Sequence, residues 1–178
     1  MEVKLIVGST PDAEKKIMAG ELDVALVAGQ ISIPAQFKIV HYLTDEFVLI
    51  TPPSHALAKL QRLSLKQIAK LPLILREKGP LPRLLIDEAF RAAGIPYNCT
   101  MEIASSEGMK RAVAEGLGCS IVSFSSIETE LKVKALACVR ISGTPIKREF
   151  RAILHKDRKI LGPVKPFLRL LSINPSLD

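Results

Sequence analysis

The sequence has no tryptophan, only two tyrosines and six phenylalanines, and just three cysteines and three histidines. Scarce aromatics argue against a stacking platform for single-stranded nucleic acid. Cys99, Cys119 and Cys138 are odd in number, widely separated and without a C-x-x-C pair. That pattern suits buried thiols in a reducing compartment. A redox-sensing role for Cys99 or Cys119 stays open beside it, and would need an exposed thiol in electropositive surroundings. His41, His55 and His155 are too isolated for H-E-x-x-H or a Cys/His zinc frame, so neither metal nor cofactor is expected. The glycine-rich phosphate loops and the G-x-S-x-G nucleophile turn are also absent. No apolar run approaches the roughly 18 residues needed to span a bilayer. Met1-Glu2-Val3-Lys4 does not open like a secretory leader, and a cytoplasmic location is expected.

What is present is an ordinary globular composition. The 178 residues are 48% hydrophobic and 24% charged, which excludes general disorder and suits one domain or two small lobes. The 25 Lys and Arg exceed the 18 Asp and Glu, leaving +7. Such a balance fits nucleic acid, a membrane surface or an anionic ligand. The cations are spread along the chain, however, and Lys15-Lys16, Lys147-Arg148 and residues 156–159 are the largest groupings. A solvated surface accounts for these equally well.

Patterning along the chain alternates strand and helix. Residues 3–7 read as a strand, and Thr10-Pro11-Asp12 as an N-cap, a first-turn proline and a first-turn acid. Gly20 closes that helix, and residues 23–27 form a second, apolar strand expected to run parallel to the first. Two more strands follow at 38–42 and 46–51. Ser64 and Gln67 then make a capping box. Residues 73–76 read as a strand and 82–93 as a helix ended by Gly94. A strand over 101–104 precedes a helix opened by Ser105-Ser106, with Met109, Ala112 and Val113 on its apolar face. Strands at 119–124, 137–141 and 148–155, a short helix capped by Ser125 or Ser126, and a last helix at 164–171 complete an α/β class of mostly parallel strands. Two segments, 46–51 and 143–150, look like crossings between lobes, the arrangement of a two-strand hinge around a ligand cleft.

Five blocks, in order, carry a family likeness. They are Gly8-Ser9-Thr10, Gly20-Glu21-Leu22-Asp23-Val24-Ala25-Leu26, the stretch from Leu43 through Pro52-Pro53 and His55 to Leu57, Leu73-Ile74-Leu75-Arg76-Glu77, and Lys110-Arg111-Ala112-Val113 through Gly118. Together they resemble the effector-binding domain of LysR-type transcriptional regulators over almost the entire chain. The resemblance implies a type 2 periplasmic-binding-protein-like fold of two α/β lobes. Lobe I would be residues 1–48 plus 148–178 and lobe II residues 49–147. It also implies a small-molecule effector in the interlobe cleft and homodimers or homotetramers. DNA contact would come only through an N-terminal winged helix-turn-helix. The chain departs from the family pattern in lacking that DNA-binding part and the first strand-helix unit of lobe I. The loop Gly79-Pro80-Leu81-Pro82-Arg83 also lacks the hydroxyls of the family's Gly-Ser-Gly-Thr-Arg-like turn.

The candidate ligand-binding residues are Ser9, Thr10, Glu77, Lys78, Gly79, Ser105, Ser106 and Phe124. Thr10 sits where many family members face the effector, and a helix N-terminus welcomes an anion. It could equally just cap its helix, as could Ser105 and Ser106. Glu77-Lys78-Gly79 follows the end of a strand, where α/β sheets bind ligands. Phe124 holds a similar place but could also be a core aromatic. The expected function is effector sensing and oligomerisation for a DNA-binding regulator, with a small, anionic metabolite as ligand and no catalysis. The alternatives are a solute-binding protein of a transport system and an enzyme on the same fold, for which no paired carboxylates or activated nucleophile stand out.

Overall fold

The structure is a computed structural model that describes residues 3–160 and 162–171. The chain divides into two compact units, residues 1–44 with 148–178, and residues 45–147.

In the first unit, α1 (Thr10–Ala19) leads to β1 (Ala25–Ala28), and the chain then enters β2 (Phe37–Thr51). The N-cap of α1 is Ser9, whose hydroxyl accepts from the Asp12 amide at 3.3 Å, not Thr10 as the sequence suggests. Thr10 lies one residue inside, and its Oγ1 donates to the Ala28 carbonyl at 2.9 Å, tying the helix entrance to the end of β1. Gly20 ends α1 at φ 78°, a left-handed conformation that favours glycine, and its amide donates to the Ile17 carbonyl.

The expected first strand does not form. Residues 3–7 have no ladder neighbour among the described residues, and Val7 is 91% exposed. A strand needs a partner as well as an apolar pattern. β1 accordingly pairs antiparallel with β8 (Lys147–His155), Ala25 opposite Ile153, in place of the expected parallel pairing. β8 is buried on both faces. Ile153 packs with Ile17 of α1, whereas Ala152 and Leu154 pack with Leu168 of α6 (Val164–Leu170).

The second unit contains the larger core. The segments 38–42 and 46–51 are one continuous strand, β2. Phe47 and Leu49 face a cluster with α2 (Leu65–Ile68) and α3 (Leu81–Ala92), and the alternate residues Val48 and Ile50 face α4 (Ser106–Ala114). This period of two makes a sheet covered by helices on both faces. β2 pairs antiparallel with β6 (Ser120–Ser123) and β7 (Ala137–Ser142); β3 (Arg62–Ser64) runs parallel to β7. β4 (Leu73–Leu75) runs parallel to β5 (Cys99–Glu102). The sheets are therefore mixed, not mostly parallel. The Ser64–Gln67 capping box is present in full. Neither Ser125 nor Ser126 caps α5 (Glu128–Lys132): both lie in a 3-10 turn, Phe124–Ser126, and Ile127 stands at the cap position.

Candidate functional site

Within the second unit, three strand ends are brought to one edge. The Ile74 amide donates to the Cys119 carbonyl at 2.8 Å, and the Cys119 amide donates to the Pro72 carbonyl at 3.0 Å. These bonds continue the parallel direction of β4 and β5 toward β6, through a parallel bridge between Leu73 and Cys119. Gly118 permits the approach, because a Cβ there would lie 2.6 Å from the Pro72 carbonyl oxygen. Beyond the strand ends come Arg76-Glu77-Lys78-Gly79, Ser105-Ser106 and Phe124. The C-terminal edge of parallel strands is the usual ligand side of an α/β sheet.

Arg76 is central to that edge, although its importance does not stand out in the sequence. Its Nε and Nη2 fork onto Glu77 at 3.1 and 2.8 Å, and its Nη1 donates to Ser106 Oγ at 3.4 Å. The Arg76 guanidinium holds the Glu77 carboxyl below the usual carboxylate range, and Glu77 in turn pushes Arg76 up. Ser105 is the N-cap of α4, accepting from the Gly108 amide at 3.2 Å, while Ser106 is the first residue of the helix. The structure therefore joins Glu77 and Ser106 through Arg76. Lys78 and Gly79 are exposed on the following turn.

Arg83 stabilises this backbone from beneath. Its side chain is only 3% exposed, donating to Asp87 at 2.7 Å, Glu102 at 2.9 Å and the Arg76 carbonyl at 2.5 Å. Burial works against the Arg83 charge, but the bonds to Asp87 and Glu102 outweigh it and raise its pKa. Tyr97 also donates to Asp87, at 2.5 Å; burial, followed by that bond, pushes its phenol up to about 12.

The unfolded chain should therefore release the Tyr97 proton near pH 10, and the folded chain only near pH 12. Its contribution to stability is complete below pH 10 and is lost between the two values. Tyr97→Phe should flatten that part of the alkaline decline in urea midpoint. An unchanged decline would assign it elsewhere.

The turn after β6 is anchored separately. Ser123 Oγ donates to the buried Asp45 carboxylate at 2.5 Å, and the Ser125 amide reaches its other oxygen at 3.4 Å. Lys110, also buried, donates to Glu130 at 2.5 Å and to the Ser126 carbonyl at 3.0 Å. Burial alone would lower Lys110, but its hydrogen bonds to Glu107 and Glu130 raise it overall. Phe124, at 38% exposure, is not a core aromatic. Asp45 and Ser123 are 78 residues apart, and no local sequence signal links them.

In the first unit, Ser9 and Thr10 are both engaged, Ser9 with Asp12 and Thr10 with the Ala28 carbonyl. The cap role thus falls on Ser9, one residue before Thr10. Burial pushes the Cys119 and Cys138 thiols up, which opposes thiolate reactivity at either. Among the described residues, no helix is long and apolar enough to cross a membrane.

Solved structures share this α/β fold. The regulatory domain of CcmR from Synechocystis, in complex with 2-PG, superposes with a TM-score of 0.80 at 23% identity, covering 99% of this chain and 85% of its own. The cofactor-binding domain of the Cbl transcriptional regulator gives 0.77 at 25%, covering 97% and 75%. The effector-binding domain of QuiR, in complex with shikimate, gives 0.70 at 17%, covering 93% and 77%. This is the type 2 periplasmic-binding-protein-like fold.

The chain belongs to the LysR substrate binding domain family, which it matches over residues 1–173. Curated relatives include a probable RuBisCO transcriptional regulator from Cyanophora paradoxa, 35% identical over 161 residues, covering 88% of this chain and 50% of the relative. Another is the HTH-type transcriptional activator CmpR from a Synechocystis species, 32% identical over 154 residues, covering 86% and 51%. The chain spans about half the length of the curated relatives it matches.

Proposed function

We propose that this chain senses a small anionic effector for a LysR-type, DNA-binding regulator, and contributes to a homodimer or homotetramer. The observation that carries the proposal is the Arg76 guanidinium at the end of β4, beside Ser106 at the start of α4. A planar guanidinium suits bidentate carboxylate or phosphate recognition. Ser105, Phe124, Lys78 and Gly79 are the further contacts proposed on the second unit, and Ser9 and Thr10 are those offered by the first. The two units are proposed to act as lobes hinged through β2 and β8, with lobe I at 1–48 plus 148–178 and lobe II at 49–147. Effector would then shift a two-state equilibrium by its differential affinity for the two states.

Support comes from the family and from two relatives of the same fold whose solved complexes contain 2-PG and shikimate. The regulator family does not favour the transport alternative. The domain is proposed to catalyse nothing and to act in the cytoplasm. Sequence-specific DNA contact is assigned to helix-turn-helix residues outside the matched segment.

The test is calorimetric titration with 2-phosphoglycolate as probe. The unaltered chain should bind, and Arg76→Gln should weaken binding by about tenfold or more, the loss expected for a charged hydrogen-bond pair. Equal affinity in the two proteins would sink the proposal.

A further inference from the structure

We infer that Glu77 is an internal competitor for the effector site, a carboxylate that occupies the Arg76 fork and must be displaced by an incoming anion. The inference rests on Arg76 being an effector contact and adds what an incoming anion must displace to reach it.

Adjacent residues in a strand point to opposite faces, so their side chains do not normally meet. β4 ends at Leu75, however, and residues 76 and 77 lie beyond the ladder. There the two side chains converge into a two-bond fork, Nε to Oε2 at 3.1 Å and Nη2 to Oε1 at 2.8 Å. Glu77 thus has the geometry that a ligand carboxylate or phosphoryl group would adopt on the same guanidinium. Both side chains are part-exposed, at 24% and 39%, so solvent and solutes reach the pair.

The backbone around the pair is fixed. The Arg76 carbonyl accepts from Arg83, and the Leu75 carbonyl accepts from the Ile103 amide at 2.9 Å. Exchange of Glu77 for a ligand is therefore a side-chain event. Arg83 cannot substitute as the receptor cation, because it is buried and already bonded to Asp87 and Glu102. The third Arg76 bond, to Ser106 Oγ at 3.4 Å, does not depend on Glu77 and would help keep the guanidinium in place during the exchange.

The cost of displacing Glu77 is common to every anion that takes the fork, so Glu77 lowers all their affinities by one factor. A ligand with a carboxylate or phosphoryl group can replace both bonds, whereas one offering a single acceptor forfeits one of them. The expected ligand class is a small anion with a bidentate oxyanion group.

The experiment compares the unaltered chain, Glu77→Gln and Arg76→Gln by calorimetry, with 2-phosphoglycolate and chloride as separate probes, at low and raised ionic strength. Glu77→Gln should bind 2-phosphoglycolate roughly three- to fivefold more tightly, the factor expected from removing a part-exposed ion pair. A part-exposed pair in direct contact is itself partly screened, so the gain should shrink at raised ionic strength without vanishing, unlike a general field effect. Chloride should gain by the same factor, because it displaces the same carboxylate. If Arg76→Gln loses binding but Glu77→Gln binds no tighter, or its gain vanishes with salt, the inference fails while Arg76 remains an effector contact. If Arg76→Gln binds as the unaltered chain does, or no protein binds 2-phosphoglycolate, the effector site itself is misplaced and the inference falls with it. Matching thermal midpoints for the three proteins show that the comparison reports binding.

Discussion

Arg83→Met should lower the unfolding free energy by about 3 kcal/mol, at the lower end of what breaking a buried ion pair usually does. Methionine keeps most of the apolar stem, so the loss isolates the guanidinium. Three bonds disappear together, to Asp87, Glu102 and the Arg76 carbonyl. Asp87 and Glu102 are themselves 36% and 46% exposed, so water can take over part of their solvation, and this holds the penalty down. Arg83→Lys should recover little, since one ammonium cannot reproduce a rigid fork to three acceptors. Urea denaturation with linear extrapolation measures the difference. A loss under about 1 kcal/mol would show that the cluster is a solvated surface network, for which such values are usual.

Phe90→Ala should have an effect of about 3–5 kcal/mol, the range for truncating a buried aromatic. Phe90 is 1% exposed, and its ring lies 4.5 Å, centroid to centroid, from that of Tyr97. It shares a core with Phe47, Leu49, Leu75, Ile86 and Ile121, drawn from three strands and α3. Removing the ring opens a cavity between that helix and the sheet. The loss is a large part of the 5–15 kcal/mol typical of a domain, so Phe90→Leu serves as the milder variant, at about 1–2 kcal/mol. Leu84→Ala, on the 52% exposed side of the same helix, should stay within about 0.5 kcal/mol. Similar losses at positions 84 and 90 would refute the placement of the core.

Local signals were read well from the sequence because their physics is local. The Ser64–Gln67 box and the Gly20 helix end each depend on a few successive residues, and the structure has both. The family likeness, spread over five blocks, also led to the right fold. The sequence misleads where a residue's fate depends on a distant partner. Residues 3–7 have a strand's apolar pattern but no ladder, and the direction of β1 was set by β8, more than a hundred residues away. Ser125 looks like a cap, but its amide is held by Asp45 from β2. Arg76 is only a letter in a matched block, and Arg83 stands in the loop that departs from the family pattern. The bonds to Glu77 and Asp87 are local, but those of Arg76 to Ser106 and of Arg83 to Glu102 need distant segments to be brought together first.

The second unit begins and ends at neighbouring points. The Phe47 amide, near its start, donates to the Ile146 carbonyl, near its end, at 2.9 Å. In gene terms, codons 45–147 form a cassette inserted into the reading frame of the first unit. Close ends are what make insertion and circular permutation tolerable. The cassette also carries Arg76, Glu77, Arg83 and Ser106 together. Under the proposed function, the share of ligand preference that rests on these four residues would travel between relatives with one uninterrupted stretch of coding sequence.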